Sequence, residues 1–599
     1  MSSISAAPAA SRLQVESEAR ANLLVLCLLA VLIGVATGIG AVALRGLIGL
    51  IHNLCYFGRL SVFYDANVLE GPSRFGDWIA LSPVLGGLLV VFLVLKFAPE
   101  AKGHGVPEVM DAIFYKRGVI RWQVALIKSV ASALSIGTGA AVGREGPIIQ
   151  IGAALGSAFS QRLNLTTSQR ITLLSAGAGA GIAATFNTPL GGVLFALEIL
   201  LPEVSNRTFL PVVLATGAAT LLGRVLIGPD PAFIVPAFVM PHARDFNPEQ
   251  ALAYVALGAI VGLGAWAFIR VLVWMEDTFP KIPGGPYVQN VIGMGIVGVM
   301  MAALARLYGH HYVDGVGYGV IQTILDGGMA APALLGLLFA LKLLATSVSL
   351  GSGASGGIFS PSLYLGATLG AGFALLVGRF LPGAGLQAPS AAIVGMAAMV
   401  GAGTGGVMTA IVMVFEMTRD YEIIVPVIVA VAVAAGVRRF LVAETIYTVK
   451  LRHRGHRIPK ERHANLYLVA QARDVMEPRF VRAEAGAPLS AALASDDADD
   501  LMAIVVEREG RIVGLVPPRS GLWVQRREDP SLTIDAFVEP QLVLIREDDL
   551  LSRALARLKR HRAGAAIVYA GAGRPLAKNV VGVVTKRAIA DAVIDNFDD

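Results

Sequence analysis

The chain has 599 residues, of which 55% are hydrophobic and only 15% charged, and its mean hydropathy is +0.66; this is too apolar for a water-soluble globular protein and defines a polytopic membrane protein. A net charge of +6 with no long basic tract interleaved with aromatics argues against nucleic acid as a partner. The two cysteines, Cys27 and Cys55, support neither a disulfide framework nor a cysteine metal site, and no metal site is expected.

Residues 1–20 are small, polar and mixed in charge, without the apolar core of a signal peptide, and read as a cytoplasmic tail carrying Arg12 and Arg20. Residues 21–54 form one apolar segment longer than the ~20 residues that span a bilayer, so it must tilt or extend past the membrane. A second span reads at 78–97. The stretch from Lys102 to Glu108 is a glycine-punctuated break with Pro107 suited to a first helical turn. An apolar segment containing Lys128 then leads into Gly143-Arg144-Glu145-Gly146-Pro147, where an Arg-Glu pair interrupts apolar sequence. The Gly- and Ala-rich run 173–201 suits close helix packing in lipid. Further spans read at 209–227, 251–274, 288–307, 333–350, 391–417 and 423–435.

The chain repeats itself. Gly357, Pro361 and residues 366–373 lie 214 residues after Gly143, Pro147 and residues 152–159. The tail of the segment from Asn187 to Glu198 recurs at 407–416 with the offset drifted to 218. Each copy of the Gly-to-Pro loop reads as a helix beginning inside the membrane. A helix start leaves backbone N–H groups unpaired and carries roughly +0.5 elementary charge, so two of them aimed at one point make an anion site. Broken helices within an internal repeat are what membrane transport sites are built from. An intramembrane acid such as Glu145 is functional by default.

The basic stretch 450–462 ends the membrane domain and places the rest of the chain in the cytoplasm. The boundaries read as a tail at 1–20, a membrane domain at 21–452, a basic linker at 453–471 and a soluble domain at 472–599. In the last, β-branched runs at 503–506, 512–516, 565–569 and 580–584 alternate with helical stretches. Residues 474–478 are echoed at 534–540, a second duplication, of an α/β unit roughly sixty residues long. The chain has no paired Ser-His or Asp-Asp arrangement and no Gly-Lys-Ser/Thr loop, so neither an enzyme nor an ATP-driven pump is indicated.

Four segments, Gly143 to Pro147, Gly357-Ile358-Phe359-Ser360-Pro361, Gly103-His104-Gly105-Val106-Pro107 and Glu444-Thr445-Ile446-Tyr447, closely resemble the anion-site segments of the CLC chloride channels and chloride/proton exchangers. The similarity covers about residues 20 to 452, and the remainder resembles a tandem pair of CBS domains. The resemblance implies an α-helical membrane protein of inverted-repeat architecture, with broken helices meeting at a midplane anion site and a cytoplasmic α/β CBS pair. It also implies a homodimer in the lipid bilayer with one pore per subunit, both termini cytoplasmic, a bacterial-type inner membrane, and chloride or another small anion as cargo without a cofactor. The anion would be held by His104, Gly105, Gly146, Ile358, Phe359 and Tyr447. Lys128 would raise the local positive potential. Glu145 would be the gate, its carboxylate competing with the anion when ionised and leaving when protonated, which links passage to pH and voltage.

Three departures qualify the resemblance. His104 stands where the family usually has Ser, replacing a hydroxyl donor with a larger imidazole. Ile199 stands at the internal proton-transfer glutamate of the exchangers, and Glu198, about 100° away around the helix, is a proton-path candidate but no automatic substitute. The expectation is therefore a passive chloride channel gated by Glu145; the alternatives are a chloride/proton antiporter with a non-standard inner proton path and, more remotely, a membrane sensor. Finally, Ala588 replaces the ribose-contacting Asp of the CBS pattern and Pro517 a Ser or Thr, which weakens an adenine-nucleotide site there in favour of a structural role.

Overall fold

The computed structural model describes residues 21–235, 248–456, 458, 470–492, 503–516, 532–539, 541–571 and 575–594. The first helix, α1 (Leu23–Phe57), starts where the Asn22 side chain accepts the Val25 N–H and stops at Gly58 in the left-handed region, φ 65°. At about 1.5 Å per residue it exceeds the ~30 Å hydrocarbon core. Next come α2 (Ser82–Phe97), α3 (Val106–Tyr115), α4 (Gln123–Gly137), α5 (Glu145–Arg162), α6 (Thr167–Phe186), α7 (Pro189–Phe195) and α8 (Asn206–Leu226). The second half repeats the series as α9 (Pro248–Thr278), α10 (Gly285–Tyr308), α11 (Tyr318–Leu325), α12 (Pro332–Gly351), α13 (Phe359–Phe380), α14 (Ala388–Thr404), α15 (Val407–Thr418) and α16 (Ile424–Leu441), and α17 (Ile446–His453) comes last in this unit.

Among the described residues, eight helices are long and apolar enough to cross a membrane. Two stretches that hydropathy reads as continuous are broken. Residues 173–201 divide at Asn187, φ 59°, and residues 391–417, expected to be one span, divide at Gly405, φ 82°. The span expected at 78–97 lies within the candidate span Gly76–Phe97, which opens with the 3₁₀ segment Gly76–Leu81 before α2 begins at Ser82.

The two halves meet about a local twofold axis. Gly143 and Gly357, 214 residues apart, form an antiparallel bridge, each N–H donating to the other's carbonyl, at 2.7 and 2.6 Å. On either side the Ala141 N–H donates to Ser349 Oγ at 3.2 Å and the Ser355 N–H to Ser135 Oγ at 3.0 Å. These residues are again equivalents exchanging partners. An antiparallel pairing of equivalent residues makes the halves run in opposite senses, the inverted repeat expected from the resemblance. Close helix approach is repeated too: a Cβ on Gly152 would overlap the Gly177 carbonyl between α5 and α6, and one on Gly366 the Gly395 carbonyl between α13 and α14.

The chain divides into two compact units, with Ile458 and Pro459 on either side of the boundary. The start of the expected linker therefore belongs to the membrane unit: Arg454 pairs with Glu108, at 2.9 and 2.5 Å, and His456 stacks on Tyr115 and meets Asp111 at 2.6 Å. The other unit contains two three-stranded sheets, β1 (Phe480–Glu484), β2 (Ala503–Arg508), β3 (Arg511–Val516) and β4 (Leu544–Arg546), β5 (Ala565–Tyr569), β6 (Val580–Thr585). In each sheet the first pair is parallel and the second antiparallel, with a register shift at the equivalent place, Val506/Glu507 and Val568/Tyr569. The two sheets exchange segments: the Glu477 N–H reaches Val583 O, and the Glu539 N–H reaches Leu515 O, both at 2.9 Å. Val505 and Leu515 share one core with Ile567 and Val583. This is the duplicated α/β pair that the sequence echo predicts. Pro517 and Pro540 lie outside the described residues.

Candidate anion site

Three loops are knitted together at the centre of the membrane unit. Besides the Gly143–Gly357 bridge, Gly103 pairs with Ser355, and the Gly356 N–H donates to Gly103 O at 3.3 Å. Helices α3, α5 and α13 begin from these loops. Only glycine permits the approach: Gly105 has φ 84°, and a Cβ on Gly146 would overlap the His104 carbonyl. The backbone N–H groups at these helix starts, those of Gly105, Gly146, Ile358 and Phe359 among them, are thus carried on adjoining loops.

A buried lysine braces this arrangement in each half. Lys128 Nζ donates to Ala101 O at 3.0 Å and Gly103 O at 2.6 Å. Lys342, 214 residues later, donates to Val313 O at 2.8 Å, Asp314 O at 3.3 Å and Gly315 O at 2.9 Å. Each ammonium is satisfied by carbonyl dipoles of a loop whose last glycine, Gly105 or Gly317, launches a short helix, α3 or α11. Both amines are thereby tied to backbone carbonyls just ahead of a short helix.

Glu145 is fully buried. Its Oε1 accepts the Tyr318 hydroxyl at 2.5 Å, and its Oε2 accepts the Ser360 hydroxyl at 2.5 Å and the Ser360 N–H at 3.3 Å. The carboxylate thus lies at the start of α13, where an anion would lie. Arg144 Nε stands 4.0 Å from Oε1, at the limit of an ion pair, and its guanidinium lies over the Tyr318 ring at 5.2 Å. Beside it is a cavity of about 490 Å³ whose lining includes Arg45, Arg144 and Arg224 together with Asp65 and Asp230.

His104 is 1% exposed, and neither ring nitrogen has a hydrogen-bond partner among the described residues. Its ring centroid is 6.2 Å from that of Tyr447, which α17 presents after a Thr445 cap. The side chain that sequence could not orient faces the tyrosine. An imidazole buried without a partner is costly and marks a place where a ligand can supply one. Ile358 and Phe359 are buried, and Phe359 packs on Phe186 with centroids 5.6 Å apart, so only their backbone is available to an anion.

Glu198 is engaged elsewhere. Its Oε1 accepts the Met408 N–H at 3.1 Å, and its Oε2 accepts the Thr409 N–H at 2.8 Å and hydroxyl at 2.7 Å, so it caps α15. Ile199 is buried beside Gly406. Three residues of the site escaped the sequence reading: Tyr318, Ser360 and Lys342. Lys342 was findable at the 214 offset from Lys128, and Tyr318 comes after the glycines 315 and 317 as Val106 does after 103 and 105.

Helix starts converging from two inverted halves on a buried, hydroxyl-held carboxylate define a membrane transporter of small anions. The chain belongs to the CLC family: the family model described as voltage gated chloride channel matches residues 86–439. The H(+)/Cl(-) exchange transporter ClcA of Yersinia pseudotuberculosis serotype IB is 31% identical over 451 residues, covering 75% of this chain and 91% of that protein. ClcA of Salmonella paratyphi B is 31% identical over 434 residues, 72% of this chain and 88% of that protein. Among solved structures, a slow cyanobacterial Cl-/H+ antiporter matches with TM-score 0.63 and 26% identity over 73% of this chain and 99% of its own. A eukaryotic CLC transporter shares the fold at TM-score 0.59 and 20% identity, covering 94% of this chain and 98% of its own. The chain is thus an integral membrane protein that transports chloride without a cofactor and is not an enzyme.

Proposed function

We propose that the chain exchanges chloride for protons, with Glu145 as the group that both ions use. The observation that carries this reading is how Glu145 is held: its partners are two hydroxyls and one amide, and Arg144 stands off at 4.0 Å. Hydroxyls can reverse their hydrogen bonds, so the carboxyl can take a proton and keep neutral partners, whereas an arginine clamp would hold it ionised. Ionised, it occupies the start of α13; protonated, it yields that place to chloride. Chloride would lie between the converging amides and the His104 and Tyr447 side chains.

The relatives support coupling over the passive channel that Ile199 suggests, since those 31% identical are named exchangers and the 26% identical structure is an antiporter. Ile199 removes one carboxylate from the inner branch. A proton on Glu198 would release the start of α15, so the inner path of this reading bypasses both residues. A charged gate within the membrane field also gives voltage dependence. The Tyr447 side, continuous with basic α17, is taken as cytoplasmic. The neighbouring helices α7, α8, α15 and α16 carry exposed Leu190, Leu221, Met408 and Val425, an apolar face suited to a homodimer.

Proteoliposomes test the reading. An outward chloride gradient should drive protons inward against their own gradient. Chloride efflux with no uphill proton movement would return the chain to the channel reading.

A further inference from the structure

A second cavity, of about 50 Å³, reaches Tyr318 beside the gate, and its lining carries no arginine. It is lined by His52, Tyr56, Glu70, His311, Asp314 and Tyr318, among others. That volume holds water, for which about 10–15 Å³ suffices. His52 is buried and meets Glu70 Oε2 at 2.7 Å; the Glu70 side chain is 29% exposed. Tyr56 stacks on His52 with centroids 4.0 Å apart, meets His311 edge-on at 5.5 Å and donates its hydroxyl to Asp314 Oδ2 at 2.7 Å. His311 Nε2 is buried without a hydrogen-bond partner among the described residues. The cavity ends at Tyr318, whose hydroxyl is on Glu145. Tyr64 and Ala66, on the segment between α1 and α2, line both cavities.

We propose that this cavity is a dedicated proton entrance to Glu145, distinct from the arginine-lined route that suits chloride; the inference rests on Glu145 being a protonatable gate. Two imidazoles and two carboxylates, with no arginine, suit protons over chloride, while the three guanidiniums of the larger cavity outnumber its two carboxylates, Asp65 and Asp230, and leave its lining net positive. Glu70 takes a proton from solvent and passes it to His52, which releases it to cavity water. Tyr318 accepts a proton from that water as it donates its own to Glu145, so one proton enters and one arrives. The groups facing the path are His52 and Tyr56 from α1, Tyr64 and Glu70 from the segment between α1 and α2, His311, Tyr312 and Asp314 from the loop before α11, and Tyr318 itself. Lys342 is spent on the carbonyls of that loop, and Arg144 lies over the Tyr318 ring.

The test is chloride flux in proteoliposomes, with the pH varied on the Glu70 side alone, for His52→Gln and Glu70→Gln. A slowed entrance is overcome by more protons. We expect each variant to lose at least about fivefold in rate near pH 7.5 and to come within about twofold of wild type near pH 4.5. A loss of equal size at both pH values in both variants, or no loss at either, overturns the proposal. Glu145→Gln separates the two levels. If it abolishes the pH response while the entrance variants keep the wild-type profile, the entrance alone fails. If it retains the pH response, the gate itself fails.

Discussion

Glu198 and Glu416 cap each other's repeat: Glu198 accepts the N–H groups of Met408 and Thr409 at the start of α15, and Glu416 those of Leu190 and Gly191, at 3.1 and 2.7 Å, at the start of α7. The acids are 218 residues apart, and so are the amides they hold. Each carboxylate answers a helix N-terminus of the opposite half, a charge-to-dipole contact of ~0.3–1 kcal/mol plus the hydrogen bonds themselves.

That exchange of caps gives both acids a structural role. Glu416→Gln and Glu198→Gln should each lower stability by about 1–2 kcal/mol, as loss of a good cap does, read as a drop in thermal unfolding temperature in detergent. Glu198→Gln should keep its proton movement. Abolished proton movement with chloride flux intact would instead assign the inner proton branch to Glu198.

Glu145→Gln should leave chloride flux that no longer responds to pH. The amide keeps the shape that reaches Ser360 and Tyr318 but carries no charge to hold it in the anion path. Stopped-flow chloride efflux between pH 4.5 and 7.5 checks this; an unchanged pH profile removes Glu145 from the gate.

His104→Ser should change the permeability ratios of chloride, bromide and nitrate without altering the fold, because it replaces one buried side-chain donor and leaves the helix amides in place. Ratios identical to wild type would mean the imidazole makes no contact with the anion.

Lys342→Met should cost more than an ordinary surface substitution, since it strips the donor from carbonyls of Val313, Asp314 and Gly315, at about 1–3 kcal/mol for each that is left unsatisfied. Because that loop aims α11, and α11 carries Tyr318, we expect slower flux together with a lower unfolding temperature. Lys128→Met should behave alike through the loop before α3.

The helix starts were legible in the sequence because they depend on glycines and prolines, whose backbone demands survive as spacing. The same is true of the duplicated α/β unit, whose two sheets repeat down to the register shift. The partners of Glu145 were hidden for the opposite reason. Tyr318 lies 173 residues away, and its hydroxyl acquires meaning only when the second half places α11 against the first. Ser360 sat inside a recognised motif, yet nothing in its spacing tells whether a hydroxyl points to the gate or back to its own helix, as Ser362 does. Gly405 divides α14 from α15 within continuous apolar sequence, so hydropathy merges them. Glu198 was visible as an acid but not as a cap, because the amides it holds belong to the other repeat.

The Gly143–Gly357 bridge also bears on how the molecule is made. A ribosome delivers Glu145, Gly143 and Ser135 to the membrane well before it has synthesised their partners Ser360, Gly357 and Ser355. During that interval the nascent first half holds an acid and open amides that lipid cannot satisfy, and water or the insertion machinery must attend them. The pore lining and the final fold are therefore completed in one late event, when the second half docks. A chain stopped after α8 would leave Glu145, Gly143 and Ser135 without these partners.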